Sequence, residues 1–229
     1  MRNRLFTLTD RAQAFAIDAV FPKRCAVCGF RGSWVCHQCL AETRLFDPPW
    51  CPRCGIPVSG RCRCSFVPDF IERLRSAGPY DGWLRESVHL VKYQGESSRA
   101  DHLAALLAPV LVDLGHVDAL VAVPLHRHRL RERGFNQAGH IAEALAKIAG
   151  IPVWDALSRI RDTPHQVGLS ADQRAENIHG AFRFRETPSM KPARVVLVDD
   201  VFTTGATLRE CAAVLEAAGV SSISALTVC

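Results

Sequence analysis

Apolar positions recur along the chain with two different periods, and their alternation sets out an architecture. Residues 98 to 114 carry Leu103, Leu106, Leu107, Val110, Leu111 and Leu114 at intervals of three and four, which places them on one face of a helix. Residues 83 to 93 are amphipathic in the same way. Phe135 to Ala149 repeats the period with Ala138, Ile141, Ala142, Leu145 and Ile148 until Gly150-Ile151-Pro152 stops it. Ala206 to Ala218, closed by Gly219, predicts a further helix. Short unbroken apolar runs predict buried strands at Ala119 to Val123, ended by Pro124, at Arg194 to Val198, and at Ser221 to Val228. Strands alternating with helices predict an α/β fold, a parallel sheet flanked by helices and joined by right-handed crossovers. Ser158 to Phe184 breaks this rhythm. It is polar, and aperiodic apart from a short helical signal near Ala171 to Asn177, so it reads as a mobile loop.

The N-terminal third follows a different pattern, set by cysteine. Eight of the ten cysteines form four hooks: Cys25 with Cys28, Cys36 with Cys39, Cys51 with Cys54, and Cys62 with Cys64. Two thiolates from one tight turn reach the same tetrahedral ion, and a second hook closes a four-ligand shell, so four hooks predict two structural zinc sites. Sequential pairing of the hooks is the simplest arrangement; spacing leaves an interleaved one open. Gly29 and Gly55 directly follow two hooks, where a knuckle turn needs positive φ. Trp34, Trp50, Phe30 and Phe46 are expected to form the miniature core of this module, with a base-stacking surface as the alternative. Cys211 shares an apolar face with Leu208, Ala212 and Leu215 and reads as a buried thiol. These features divide the chain into a cysteine-rich double zinc-ribbon module over residues 1 to 70 and an α/β domain over residues 71 to 229.

Composition narrows the function classes. Arg11 and Asp18 interrupt any apolar core in the first twenty residues, so a secretory signal is not expected, and the apolar runs are too short for a membrane span. A cytoplasmic location is the expectation, and it suits thiolate zinc sites better than disulfides. Residues 1 to 75 hold 12 Lys+Arg against 6 Asp+Glu, whereas residues 76 to 229 hold 16 against 17. This asymmetry suits contact with nucleic acid, and equally an ordinary solubilising surface.

The candidate chemistry lies at the end of the second strand. Val195 to Val198 leads into Asp199 and Asp200, followed by Val201, Phe202, Thr203, Thr204, Gly205, Ala206 and Thr207 at the start of a helix. Open α/β sheets bind ligands at the carboxyl ends of their strands. Two carboxylates there accept hydrogen bonds from vicinal ribose hydroxyls. A glycine-bearing turn with three threonines and a helix N-terminus suits a 5′-phosphate. A second basic segment follows Pro124 and contains Arg127, Arg129, Arg131 and Arg133, whose guanidinium forks suit a diphosphate. No P-loop and no G-x-G-x-x-G fingerprint occurs.

The thirteen residues from Val195 to Thr207 resemble the signature loop of type I phosphoribosyltransferases. Together with the cysteine hooks, the Lys92-Tyr93 pair, Arg133-Gly134-Phe135-Asn136-Gln137, and Gln166 to Arg174 with Asn177, they make the chain similar to the ComF (GntX-like) family over nearly its whole length. The resemblance implies a type I phosphoribosyltransferase fold, phosphoribosyl pyrophosphate (PRPP) with Mg²⁺ as ligand, and a link to DNA uptake. On that basis Asp199 and Asp200 are the expected catalytic pair. Val201 to Thr207, Arg127, Arg129, Arg131, Arg133 and Lys92 are the expected PRPP contacts, with residues 161 to 179 closing as a lid. Asn136 and Gln137 are expected either to fix the basic loop or reach the ligand, or equally to serve in capping or packing. Two readings stay open: an active transferase with an unidentified acceptor, and a PRPP or nucleotide sensor whose zinc module holds single-stranded DNA or a DNA-uptake partner such as a helicase.

Overall fold

A computed structural model describes residues 23–58, 62, 64–94, 98–163, 176–186 and 192–229. Helix α1 (His37–Glu42) belongs to the cysteine module. Strand β1 (Leu74–Ser76) then leads to helices α2 (Gly82–Gln94) and α3 (Ser98–Val112), strand β2 (Ala119–Ala122), and helices α4 (Arg127–Arg133) and α5 (Gln137–Ala149). Strands β3 (Leu157–Arg159), β4 (Phe182–Phe184) and β5 (Arg194–Asp199), helix α6 (Ala206–Ala217) and strand β6 (Ser222–Thr227) complete the described elements.

The main sheet has the order β1-β6-β5-β2 and is parallel throughout. Its central strand β5 is apolar on both faces because both are covered. Leu120, Val196, Val198 and Leu226 point to one side, packed with α2, α3 and α5. Val121, Val195, Leu197, Ile223 and Ala225 point to the other, against α6 and the β3–β4 hairpin. After α5 the chain lies along β2 at one residue, where Leu120 N–H donates to Pro152 and Trp154 N–H donates to Leu120.

Three features depart from the sequence reading. The segment read as a loop over Ser158 to Phe184 begins and ends in the antiparallel β3–β4 hairpin, with Arg159 opposite Phe182. Three-residue strands are too short to show a period, which is why they went unread. Strand β1 escaped for the same reason, and because it contains Arg75, which is buried and ion-paired to Asp113 at 2.5 Å. The basic segment after Pro124 is the short helix α4, capped by Gly134, and not an open turn. The stretch from 164 to 175, which includes most of the expected lid, lies outside the described residues; the helical signal near Ala171 to Asn177 is seen only in Glu176–Ile178.

The cysteine module is tied to the sheet by backbone and arginine contacts. Leu74 N–H donates to Arg53 and Phe46 N–H to Ala77. Trp83 Nε1 and Arg99 both donate to Trp34 O, and the Arg99 guanidinium lies 4.4 Å from the Trp34 ring centre. Arg75 similarly covers Trp50 at 5.7 Å. Trp34 and Trp50 thus dock the module by cation–π contact, in place of the miniature core expected for them, and Phe30 is exposed.

Candidate active site

The cysteines gather into two tetrads, Cys25, Cys28, Cys36 and Cys39 in one and Cys51, Cys54, Cys62 and Cys64 in the other, with the four sulfurs of each within 4.8 Å of one another. The pairing is therefore sequential. Sulfurs stand 3.6 Å apart between Cys28 and Cys36, 3.7 Å between Cys51 and Cys64, and 3.6 Å between Cys54 and Cys62. A tetrahedron with Zn–S bonds of about 2.3 Å has edges of about 3.8 Å, whereas a disulfide bond is only about 2.05 Å long, so the spacing fits zinc. Burial opposes ionisation of Cys25 and Cys51, yet N–H groups of neighbouring knuckle residues bring their pKa values down to about 6 and about 7. A thiolate is the form that binds metal. Gly55, with φ of 71°, closes the second knuckle where an added Cβ would meet Leu74 O at 2.8 Å. With four thiolates per ion no coordination position stays open, so these sites are structural.

The chemistry-bearing residues meet instead at the carboxyl end of the sheet. Strand β5 ends at Asp199, and Val123 N–H still donates to Val198 O, so the β2 and β5 termini lie side by side. Asp199 Oδ1 accepts from Asp200 N at 2.8 Å, and Asp200 Oδ1 lies 2.8 Å from Lys92 Nζ on α2. Burial, reinforced by the Asp200 charge, pushes the Asp199 carboxyl up to about 7. Burial alone would discharge Lys92, but the charges of Asp200 and Asp199 outweigh it and raise its pKa.

Beyond Asp200 the chain turns on a glycine. Phe202 N–H donates to Cys229 O at 2.7 Å, and the Phe202 ring packs against Phe66 with centres 5.8 Å apart. Gly205 caps α6 with φ of 74°, and an added Cβ would stand 2.9 Å from the Phe202 ring and 3.3 Å from Pro68. No other residue fits this turn without displacing an aromatic ring. Thr203 and Thr207 line the resulting cleft, which encloses about 290 Å³.

The opposite wall is basic. Arg129 and Arg133, four residues apart on α4, line the cleft, while Arg127 and Arg131 are exposed and do not. At 100° per residue one helix turns alternate residues to opposite sides, so the expected four-arginine clamp reduces to two. Asn136 Nδ2 donates to Val123 O at 3.0 Å and fixes the start of α5 against the end of β2. Gln137, Tyr80 and Arg159 also line the cleft. Lys92, Arg129, Arg133 and Arg159 outnumber Asp199 and Asp200, an excess that attracts a polyanion.

The comparisons with known proteins agree with both halves. Residues 130–229 match the model of the Phosphoribosyl transferase domain, and residues 16–67 match the Double zinc ribbon domain. The DNA utilization protein YhgH of Escherichia coli (strain K12) is 34% identical over 214 residues, 86% of this chain and 91% of that protein. Competence protein F of Haemophilus influenzae is 30% identical over 201 residues, 82% and 87% of the two chains. The chain belongs to the ComF family. Competence protein ComFC of Bacillus subtilis, at 28% identity over 209 residues, covers 84% of this chain and 82% of its own. The ComF chain described here thus joins a type I phosphoribosyltransferase fold to an N-terminal double zinc ribbon, and no helix among its described residues is long and apolar enough to cross a membrane.

Within this ComF chain the structure brings Lys92, Arg129, Arg133, Asp199, Asp200, Val201, Thr203 and Thr207 to one cleft. The other turn residues sit behind it: Phe202 against Phe66, Ala206 buried, and Thr204 with its hydroxyl 3.5 Å from Ala206 N. Arg159 and Tyr80 were missed. Arg159 belongs to a strand of three residues and Tyr80 to an aperiodic stretch, so neither carried a local signal. Asn136, the N-cap residue of α5, makes no side-chain cap hydrogen bond; it donates to Val123 O and also lines the cleft.

Proposed function

We propose that the cleft binds PRPP with Mg²⁺ and that the protein transfers the 5-phosphoribosyl group to an acceptor, releasing pyrophosphate, in the cytoplasmic handling of DNA. One observation carries the reading. A carboxylate pair, a threonine-glycine turn at a helix start, and an arginine wall face the same space at the end of β5.

The residues divide the ligand by charge. Asp199 and Asp200 accept the ribose hydroxyls, Thr203, Thr207 and the N–H groups opening α6 donate to the 5′-phosphate, and Arg129 and Arg133 face the diphosphate. Hard carboxylate oxygens at Asp199 and Asp200 also suit Mg²⁺, which would neutralise charge on the departing diphosphate. In the transfer the acceptor's lone pair forms a bond to C1 as the C1–oxygen bond breaks and its electron pair leaves with pyrophosphate. Positive charge develops on the sugar ring in the transition state, where the old bond is largely broken and the new one barely formed. The carboxylates beneath the ribose stabilise it, and the fixed geometry supplies most of the remaining acceleration. Lys92, which neutralises Asp200 in the free protein, becomes available to phosphate oxygens once hydroxyls occupy that carboxylate.

The test is release of labelled pyrophosphate from PRPP across a panel of acceptors, with Asp200→Asn as control. Turnover that is lost in the variant supports transfer, and equal turnover in both rejects the assignment.

A second reading has its own observation. Phe202 of the phosphate turn packs on Phe66, next to Cys64 of the second tetrad, so occupancy of the turn has a direct path to the zinc module. In that reading the protein senses PRPP and its basic module holds single-stranded DNA or a DNA-uptake partner. PRPP binding without pyrophosphate release, together with DNA affinity that falls steeply with salt and changes when PRPP is added, would favour it.

A further inference from the structure

The charged walls of the cleft account for a sugar and its phosphates and leave the acceptor's side unassigned. One lining residue stands apart from them. Tyr80 is the sole aromatic side chain on the cleft among the described residues, and it is 49% exposed. An aromatic ring left half open on a concave wall presents a face to another ring. Burial opposes the charge of Lys92, Asp200 and Asp199 restore it, and the Tyr80 phenol adds a smaller contribution, so the phenol stands within electrostatic reach of the ammonium that pairs with Asp200. Val123, Pro124, Leu125 and Val201 add apolar surface to the same space. Phosphates and hydroxyls gain nothing from such surface, whereas a planar heterocycle does.

The first zinc ribbon holds the Tyr80 loop from both flanks. Thr43 Oγ1 donates to the carbonyl of Cys39 of the first tetrad at 2.6 Å, and the next residue, Arg44, ion-pairs with Asp81 just after Tyr80. Before Tyr80, Gly78 lies so close to the ribbon that an added Cβ would overlap Arg44 O, and Phe46 N–H donates to Ala77 O at 2.8 Å. Asp81 N–H closes the turn on Pro79 O at 2.8 Å. A ring fixed before its partner arrives loses little entropy on stacking.

We infer that Tyr80 is the residue that recognises the acceptor, that the acceptor presents a planar nitrogen heterocycle which stacks on it, and that the first zinc ribbon is the positioning element for that ring. This assignment rests on the PRPP reading, because the acceptor is defined by that reaction. In the transfer a ring nitrogen bonds to C1 and gives up its proton to water, while the electrons of the C1–oxygen bond leave with pyrophosphate. The product is a nucleoside 5′-monophosphate.

The probes are ribose 5-phosphate and the four nucleotides AMP, GMP, CMP and UMP, titrated by calorimetry into the zinc-loaded full chain and its Tyr80→Phe and Tyr80→Ala variants. The ratio of the ribose 5-phosphate Kd to that of the best nucleotide measures what the ring adds. It is expected to be about 10-fold or more in the parent and in Tyr80→Phe, and about twofold or less in Tyr80→Ala, with ribose 5-phosphate bound equally by all three. No nucleotide advantage in the parent, or an advantage that survives in Tyr80→Ala, overturns the inference.

Two further variants test the ribbon's part. Gly78→Ala pushes the Tyr80 loop off Arg44 O, and Arg44→Ala removes the ion pair without touching a zinc ligand. Each is expected to lower the ring's advantage about threefold at unchanged zinc content and ribose 5-phosphate affinity; a full advantage in both removes the ribbon from the assignment. Saturable ribose 5-phosphate binding with no ring advantage keeps the PRPP reading and removes the role of Tyr80. Nucleotides that bind through Tyr80 in a protein that takes neither ribose 5-phosphate nor PRPP keep the stacking site and remove phosphoribosyl transfer. Binding of none of these ligands removes both.

Discussion

The two cysteine tetrads and the cleft are both clusters of polar groups, and they end in opposite states. In each tetrad four sulfurs stand at the edge lengths of a metal tetrahedron, and backbone N–H groups stabilise a thiolate in each. In the cleft, by contrast, an aspartate is held near neutrality by burial, two donors have no partner, and cations exceed acids. A cluster that completes itself is structural, while one that stays incomplete waits for a ligand.

The sharpest way to test that contrast is to break a tetrad. Cys51 is buried in the core shared with β5 and α6, whereas Cys28 is exposed. Cys51→Ser is expected to lose one zinc per chain and to lower the melting temperature by on the order of 10–20 °C, with a smaller fall for Cys28→Ser. Calorimetric scans with zinc analysis check both; equal falls would break the distinction between the tetrads. Gly205→Val comes next. It keeps both zincs but strains the turn against Phe202, and PRPP affinity should fall by about 10-fold or more, as calorimetry would register.

On the basic wall the comparison is between two faces of one helix. Arg129→Ala is expected to weaken PRPP binding about 10-fold, and Arg127→Ala less than about twofold, the difference between a charged hydrogen bond inside the cleft and a solvated side chain. Equal effects would show that α4 is not oriented as described.

The smallest effect is a pH dependence. Between the ordinary carboxyl value of 3.8 and about 7, folded protein keeps a proton on Asp199 that the unfolded chain has lost. Stability conferred by the protonated form is therefore greatest below that window and declines as pH rises through it. Asp199→Asn, which cannot ionise, should gain melting temperature relative to the parent at pH 8 and not at pH 4. PRPP binding should strengthen as pH rises toward and past about 7 in the parent, since the ionised carboxylate is the better acceptor, and that component should vanish in the variant.

The same contrast governs how much was legible in the sequence. The tetrads and the threonine-glycine turn are local: each hook spans a few residues, and Asp199 to Thr207 is one continuous segment whose turn requires Gly205. Such features are read directly from spacing. The sheet's long apolar strands were legible for the same reason, as were the helix faces of Leu103 and Ile141. The far wall is assembled from Tyr80, α4, the start of α5 and the end of β3. Its membership depends on which way α4 turns its arginines and on a hairpin only three residues deep, and neither has a period to read. Cation–π docking through Trp34 and Trp50 went unread because it pairs residues up to 65 positions apart.

The central claim is tested most directly by titrating PRPP with Mg²⁺ into zinc-loaded protein and into Asp200→Asn, with the heat recorded. The account predicts saturable, one-to-one binding by the parent that is weakened at least about 10-fold in the variant. No heat from the parent, or equal affinity in both proteins, would contradict it.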